Sequence, residues 1–181
     1  MSGAAGWDGI LDPGEEILWQ GRPDPGFAIP PDNMLRAVFG IFFAGFAVFW
    51  MTMASVSPGR FWMFGLIHFA AGLGIAGEAL VMPTVRRRNT WYTLTDRRAF
   101  IASRSLIGAR KLDSHPITDR TRLSLSDGTL GTVHFAEKSR RSGNRTTRTP
   151  IGFERISDAR EVYALMRQVQ RRGNETPEGR G

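Results

Sequence analysis

Hydrophobic residues follow two unlike patterns along this chain. From Ala37 to Val56 twenty consecutive residues carry no charge, and from Phe61 to Met82 a further 22 contain only His68 and Glu78 as ionisable side chains. A helix of about 20 apolar residues reaches across the hydrocarbon of a bilayer. Neither stretch keeps the polar face at 3.6-residue period that a half-exposed helix of a small soluble domain shows. Ser57-Pro58-Gly59-Arg60 between them leaves room only for a tight turn. The pattern therefore predicts a transmembrane helical hairpin over 37–83, with spans 37–56 and 61–82. Gly40, Ala44 and Gly45 in the first span permit close backbone approach, as do Gly65, Ala70, Ala71, Gly72, Gly74, Ala76 and Gly77 in the second. That contact can form within the hairpin or, through the Gly/Ala-rich second span, between copies of the chain.

Outside the hairpin the dominant period is two. Glu15 to Gly21 reads as a strand ended by Arg22-Pro23, and the spacing predicts a hairpin from Asn89–Thr95 and Arg98–Ala102 around Asp96-Arg97. A further strand is expected around Leu106 to Ser114, closed by Pro116. Leu123 and Leu125 alternate with polar residues before Asp127-Gly128, Val133 and Phe135 do so after it, and Ile151 and Phe153 supply a last strand. Ser157 or Asp158 then caps a helix with one apolar stripe, Val162, Leu165, Met166 and Val169. Arg171–Gly181, rich in Gly, Pro, Asn and Glu, is expected to be a disordered tail. Seven short strands and a terminal helix describe a small antiparallel barrel closed at one end by the helix, with the membrane hairpin inserted between strands one and two. The expected organisation is a segment 1–36 holding the first strand, the hairpin, and 84–170 with the rest of the barrel and its helix.

Charge adds an orientation. The chain has 181 residues and a net charge of +7, but residues 1–36 sum to −4, 37–83 to zero and 84–181 to +11. Arg86, Arg87, Arg88, Arg97 and Arg98 crowd the exit of the second span. The positive-inside rule then places both ends in the cytoplasm. Trp50, Phe61 and Trp62 flank the turn on the other side, as an interfacial aromatic belt does. The acidic amino end and the late start of the apolar run are unlike a removable signal peptide, so both spans are expected to remain.

Candidate chemistry is sparse. The absence of cysteine removes disulfides, thiolate zinc sites, iron–sulfur clusters and cysteine nucleophiles. His115 and His134 have no ligand-spaced partner, and no phosphate-binding glycine motif is present. No catalytic residue, metal or cofactor is therefore expected. His68 and Glu78 are costly in lipid, and ten intervening steps of a helix separate them by roughly 15 Å, so they cannot pair with each other. Structural pairing or snorkelling is expected of them, and Arg36 is within reach of Glu78. Thr146-Thr147-Arg148-Thr149 resembles the Ser-Thr-Arg-Thr phosphate loop of the transcarbamoylases, but Pro150 and the following alternation favour a strand and 181 residues cannot hold that enzyme's two domains. Between Glu137 and Arg148 a basic loop carries Lys138, Arg140, Arg141, Arg145 and Arg148. With Arg86–Arg88 these are the candidates for anionic headgroups or a partner, each contributing about 1 kcal/mol near an anionic surface. Nucleic acid is not the expected target, because no aromatic stacking platform is interleaved with these cations.

Two segments carry a family resemblance. Glu15-Glu16-Ile17-Leu18-Trp19-Gln20-Gly21-Arg22-Pro23, then two spans, then Tyr92-Thr93-Leu94-Thr95-Asp96-Arg97-Arg98, resembles the bacterial membrane-anchored pleckstrin-homology-like domain proteins over about residues 13–170. The resemblance implies a pleckstrin-homology-like barrel at the cytoplasmic face of a bacterial inner membrane, and it brings no catalytic residues. The expected function is a non-catalytic binding module for anionic lipid or a membrane-protein partner. The alternative is a transferase holding a phosphorylated substrate through the arginine-rich loop.

Overall fold

Side chains that branch at Cβ or carry rings form strands here wherever alternate positions can be buried. A computed structural model describes residues 6–143 and 145–175, apart from the side chains of Asp32, Ser142, Arg145, Asn174 and Glu175. The strands are β1 (Ile17–Gly21), β2 (Thr90–Thr95), β3 (Arg98–Arg104), β4 (Arg110–Pro116), β5 (Ser124–Ser126), β6 (Gly131–Ser142) and β7 (Arg145–Ile156). The helices are α1 (Pro31–Ala54), α2 (Phe64–Arg88), entered through a 3-10 turn at Phe61–Met63, and α3 (Ala159–Glu175). The chain divides into two compact units, one of Pro25–Arg87 and one formed by the segments up to Asp24 and from Arg88 onward.

In the β unit all pairings are antiparallel, and β1 joins β2 across the inserted hairpin, with Trp19 opposite Leu94 and Gly21 opposite Tyr92. The expected closed barrel is not what forms. Among the described residues the ladders make a four-stranded sheet, β1-β2-β3-β4, and a separate three-stranded sheet, β5-β6-β7. The reason lies between β4 and β5. There the Ile117 N–H donates to Arg97 O, and Gln170 on α3 donates from its buried amide to Thr118 O (3.0 Å) and Thr121 O (2.7 Å). Backbone groups that would continue a ladder are satisfied by a side chain instead.

The core fills the space between the two sheets and α3. Leu94, Val133, Phe153, Val162 and Met166 are all fully buried, each contributing about 1.5–3 kcal/mol by leaving water. Phe153 is the hub, stacked on Tyr92 at 4.6 Å, edge-on to Phe135 at 5.0 Å and 5.4 Å from Trp19. Trp19 also donates from Nε1 to Asp158 Oδ2 at 2.5 Å, tying β1 to the start of α3.

Four boundaries differ from expectation. β4 begins at Arg110, because Ser105–Ala109 is a turn in which Gly108 sits at φ 87. The region expected as a basic loop is a hairpin arm, since β6 runs on to Ser142 and pairs with β7 from Arg145. Thr146, Thr147 and Thr149 favour the extended chain, and Pro150 is tolerated because β7 is an edge strand. α3 continues through Arg171 and Arg172 to Glu175, where the tail was expected, and the rest of that tail, 176–181, lies outside the described residues. The helices of the hairpin outrun the apolar stretches at their charged ends, starting at Pro31 and ending at Arg88. Helical hydrogen bonding does not require apolar side chains.

The helical unit is packed in the opposite sense. Its buried positions are small: Ala37, Gly40, Ala44 and Ala47 in α1 face Gly65, Gly72, Ala76 and Ala79 in α2. A methyl group placed on Gly40 would lie 2.6 Å from Ala76 N, and one on Gly72 would lie 2.6 Å from Ala44 N. The two backbones touch at this reciprocal small-residue seam. Large apolar residues point away, with Leu35 76 % and Phe42 71 % exposed. Both helices are long and apolar enough to cross a membrane.

Candidate functional site

The two segments that carry the family resemblance meet at the β2–β3 turn. Glu15 precedes β1 with its carboxylate fully out of solvent, and Arg98 opens β3. Arg98 binds both Glu15 oxygens, and its guanidinium also reaches Asp12 Oδ2 at 2.9 Å. Thr95 Oγ donates to Glu15 Oε1 at 2.6 Å while accepting from the backbone N–H of Arg98 at 2.9 Å. Beside it, Glu16 and Asp96 exchange hydrogen bonds, the Glu16 N–H to Asp96 Oδ1 and the Asp96 N–H to Glu16 O. Burial pushes the Glu15 pKa up. Hydrogen bonds from Arg98, Thr95 and the Asp12 N–H, with the Arg98 charge, outweigh that and bring it down to about 2. Reciprocally, the hydrogen bond to Glu15 raises Arg98. Both Glu15 oxygens and the Thr95 hydroxyl are used internally, so the centre of this cluster locks a turn.

The hairpin arm distributes its cations over two faces. In its register Lys138 is opposite Thr149 and Arg140 opposite Thr147, while Ser139 is opposite Arg148 and Arg141 opposite Thr146. Directly opposed residues share a face. Lys138, Arg140 and the Arg145 position therefore lie on one side, and Arg141 and Arg148 on the other. Among the described residues no ion pair engages Lys138, Arg140, Arg141 or Arg148, and all four are exposed. The side chain of Arg145 lies outside the described residues. Thr146-Thr147-Arg148-Thr149 sits within β7 and opens no helix, so it lacks the helix amino end that a transcarbamoylase-type phosphate loop needs.

The other predicted positions separate. Arg86 and Arg88 are exposed at the end of α2, whereas Arg87 turns inward and donates to Gly26 O, Ala28 O and Thr84 Oγ. Arg87 thus fastens the segment leading into α1. Arg36 pairs with Glu78 at 2.5 Å. His68 donates through Nδ1–H to Phe64 O, 3.2 Å away, and its ring lies 5.9 Å from Phe43. Among the described residues no group of three or more His, Asp and Glu is placed to hold a metal ion.

A second basic feature was missed in the sequence. Arg104 ends β3, Arg110 begins β4, and the two are directly opposite in the ladder. The turn between them carries Leu106, 67 % exposed, and Ile107, 91 % exposed. On the same outer face Trp91, Ala102 and Leu112 form the next row across the sheet. Trp7 and Ile10 wall a cleft of about 510 Å³ over that row. The available signal is two bulky aliphatic residues beside a glycine between arginines, which alternation alone assigns to a strand. No family model, curated protein or solved structure matches the chain.

Proposed function

We propose that this chain is a two-span membrane-anchored binding module of the bacterial pleckstrin-homology-like type, resident in the inner membrane with both termini cytoplasmic, which engages anionic lipid or a membrane-protein partner without catalysis. The observation that carries the reading is the inverted packing of the helical unit. Small residues fill the α1–α2 seam while Leu35, Phe39, Phe42, Phe49 and Ile67 face outward. An apolar surface of this extent is stable in hydrocarbon and a liability in water. The seven antiparallel strands and the terminal helix support the pleckstrin-homology-like part. The arrangement of Lys138, Arg140, Arg141 and Arg148 along a projecting arm, with Arg86 and Arg88, suits a diffuse anionic surface better than a single bound phosphate.

Two measurements test this. Membranes from expressing cells, washed at alkaline pH, should keep the chain until detergent is added, and its release by the wash alone would overturn the anchor. The full chain in micelles should be retained on beads coated with anionic lipid and much less on neutral ones. A K138Q/R140Q/R141Q/R148Q variant should lose most of that retention. Equal retention of the variant would remove the arm from lipid binding and favour the protein partner. The full chain is required because a fragment beginning at residue 84 lacks β1, and with it the Trp19 contacts to Phe153 and Asp158.

A further inference from the structure

The outer face of the four-stranded sheet combines three features that the arm does not. Its first is a bare apolar tip: Leu106 and Ile107 stand 67 % and 91 % exposed at the β3–β4 turn, a placement that costs free energy in water and none in a headgroup layer. Its second is an opposed pair of like charges. Arg104 and Arg110 are direct cross-strand partners, and no carboxylate pairs with either among the described residues. Such a pair destabilises a ladder unless an anion sits between the guanidinium groups. Its third is the Trp91–Ala102–Leu112 row behind the pair, with Arg22 stacked over the Trp91 ring at 5.0 Å. An indole with a cation above it suits the boundary between acyl chains and headgroups.

Along the chain, this end of the sheet follows directly on α2. The carboxyl end of β1, the amino end of β2 and the β3–β4 turn all lie at one end of the sheet, because Gly21 pairs with Tyr92 and Thr90 with Ser103. Only Asn89 separates Thr90 from the last residue of α2. We propose that the β3–β4 tip is a bilayer-docking element: Leu106 and Ile107 enter the headgroup region of an anionic leaflet while Arg104 and Arg110 hold a lipid phosphate between them. The occupant is an anionic phospholipid of the membrane. An acidic peptide would use the two arginines but would leave the aliphatic tip in water. The inference rests on the membrane-anchored reading and adds to it a contact made by the β unit itself.

The chain contains no cysteine, so Ile107→Cys introduces a single labelling site. The full chain carrying this substitution and an environment-sensitive fluorophore is reconstituted into nanodiscs of neutral phosphatidylcholine, or of phosphatidylcholine with phosphatidylglycerol. Emission should shift to the blue in the anionic discs and remain water-like in the neutral ones. The added change R104Q/R110Q should reduce the docked fraction on the order of 30-fold and abolish the shift. A label at Asp119→Cys, on the exposed connection after β4, should stay water-like throughout. Water-like emission from position 107 in both discs, or a shift that survives R104Q/R110Q, overturns the proposal. A chain that fails to enter discs would overturn the anchor instead. Vesicles of the same two compositions then put the same question to the tip, with a shift on anionic vesicles supporting it and no shift overturning it.

Discussion

The two units of this protein bury opposite kinds of side chain. In the β unit the interior is Phe153, Leu94, Ile156 and Met166, large groups withdrawn from water. In the helical unit the interior is Gly40, Ala44, Gly72 and Ala76, and the large groups are outside. On the membrane-anchored reading proposed above, one alphabet of apolar residues serves two solvents. Where water surrounds a unit, size goes inward because area removed from water sets the gain. Where hydrocarbon surrounds it, outward phenylalanines lose nothing, and small residues inside let two backbones meet.

Substituting the same residue type in both units breaks the comparison most sharply. Phe153→Ala should destabilise the β unit by about 3–5 kcal/mol, since a ring in contact with Tyr92, Phe135 and Trp19 leaves a cavity. Phe42→Ala, on the outward face of α1, should change stability in micelles by less than about 0.5 kcal/mol. Denaturant unfolding followed by near-UV circular dichroism reads the first, and thermal melting in detergent the second. A large loss from Phe42→Ala would mean that this face is packed against protein.

Glu15 sharpens the water-facing side of the comparison. Its pKa in the folded chain, about 2, lies below the ordinary 4.5. The stabilisation is therefore complete above about pH 4.5 and drains away as pH falls toward 2. The difference corresponds to about 3 kcal/mol. Melting temperature should fall across that window in the native chain. Glu15→Gln should lower stability at neutral pH and flatten the acid dependence, and an unchanged slope in the variant would assign the acid sensitivity to other carboxylates.

Gly72→Leu tests the seam of the helical unit. With Ala44 N 2.6 Å from the added Cβ, the helices must separate, which should cost about 1–3 kcal/mol and appear as reduced energy transfer between probes on α1 and α2. Gly74→Leu, where a Cβ meets nothing within 4 Å, is its control and should leave transfer unchanged. The smallest effect is expected from Arg36→Ala. Arg36 and Glu78 are about half exposed, so the pair should contribute at most about 1 kcal/mol in micelles. A larger loss after transfer to a bilayer would locate Glu78 within the low-dielectric layer.

Several elements were legible because local rules suffice for them. The uncharged runs announced the helical hairpin, Asp127-Gly128 announced the β5–β6 turn region, and Val162, Leu165, Met166 and Val169 announced the face of α3. The resemblance segments were visible as text, but their role was not: Glu15 and Arg98 are 83 positions apart and meet only in the folded chain. The arm is hidden in the sequence for a related reason. Polar, charge-rich strands that are exposed on both faces carry no period-two apolar signal, so 138–148 looks like a loop until its register with the opposite strand is known.

Composition and spacing along the chain determined which segments are apolar enough to leave water, where strands and helices start, and how charge is shared between the ends. These depend on neighbours within one turn or one hairpin. Only the tertiary structure decided that the sheets stay separate, that the arm splits its cations between two faces, that Arg87 turns inward, and that Arg104 confronts Arg110 beside a bare aliphatic tip. Each of those outcomes depends on which distant backbone satisfies a given N–H or carbonyl, and a linear pattern contains no record of that choice.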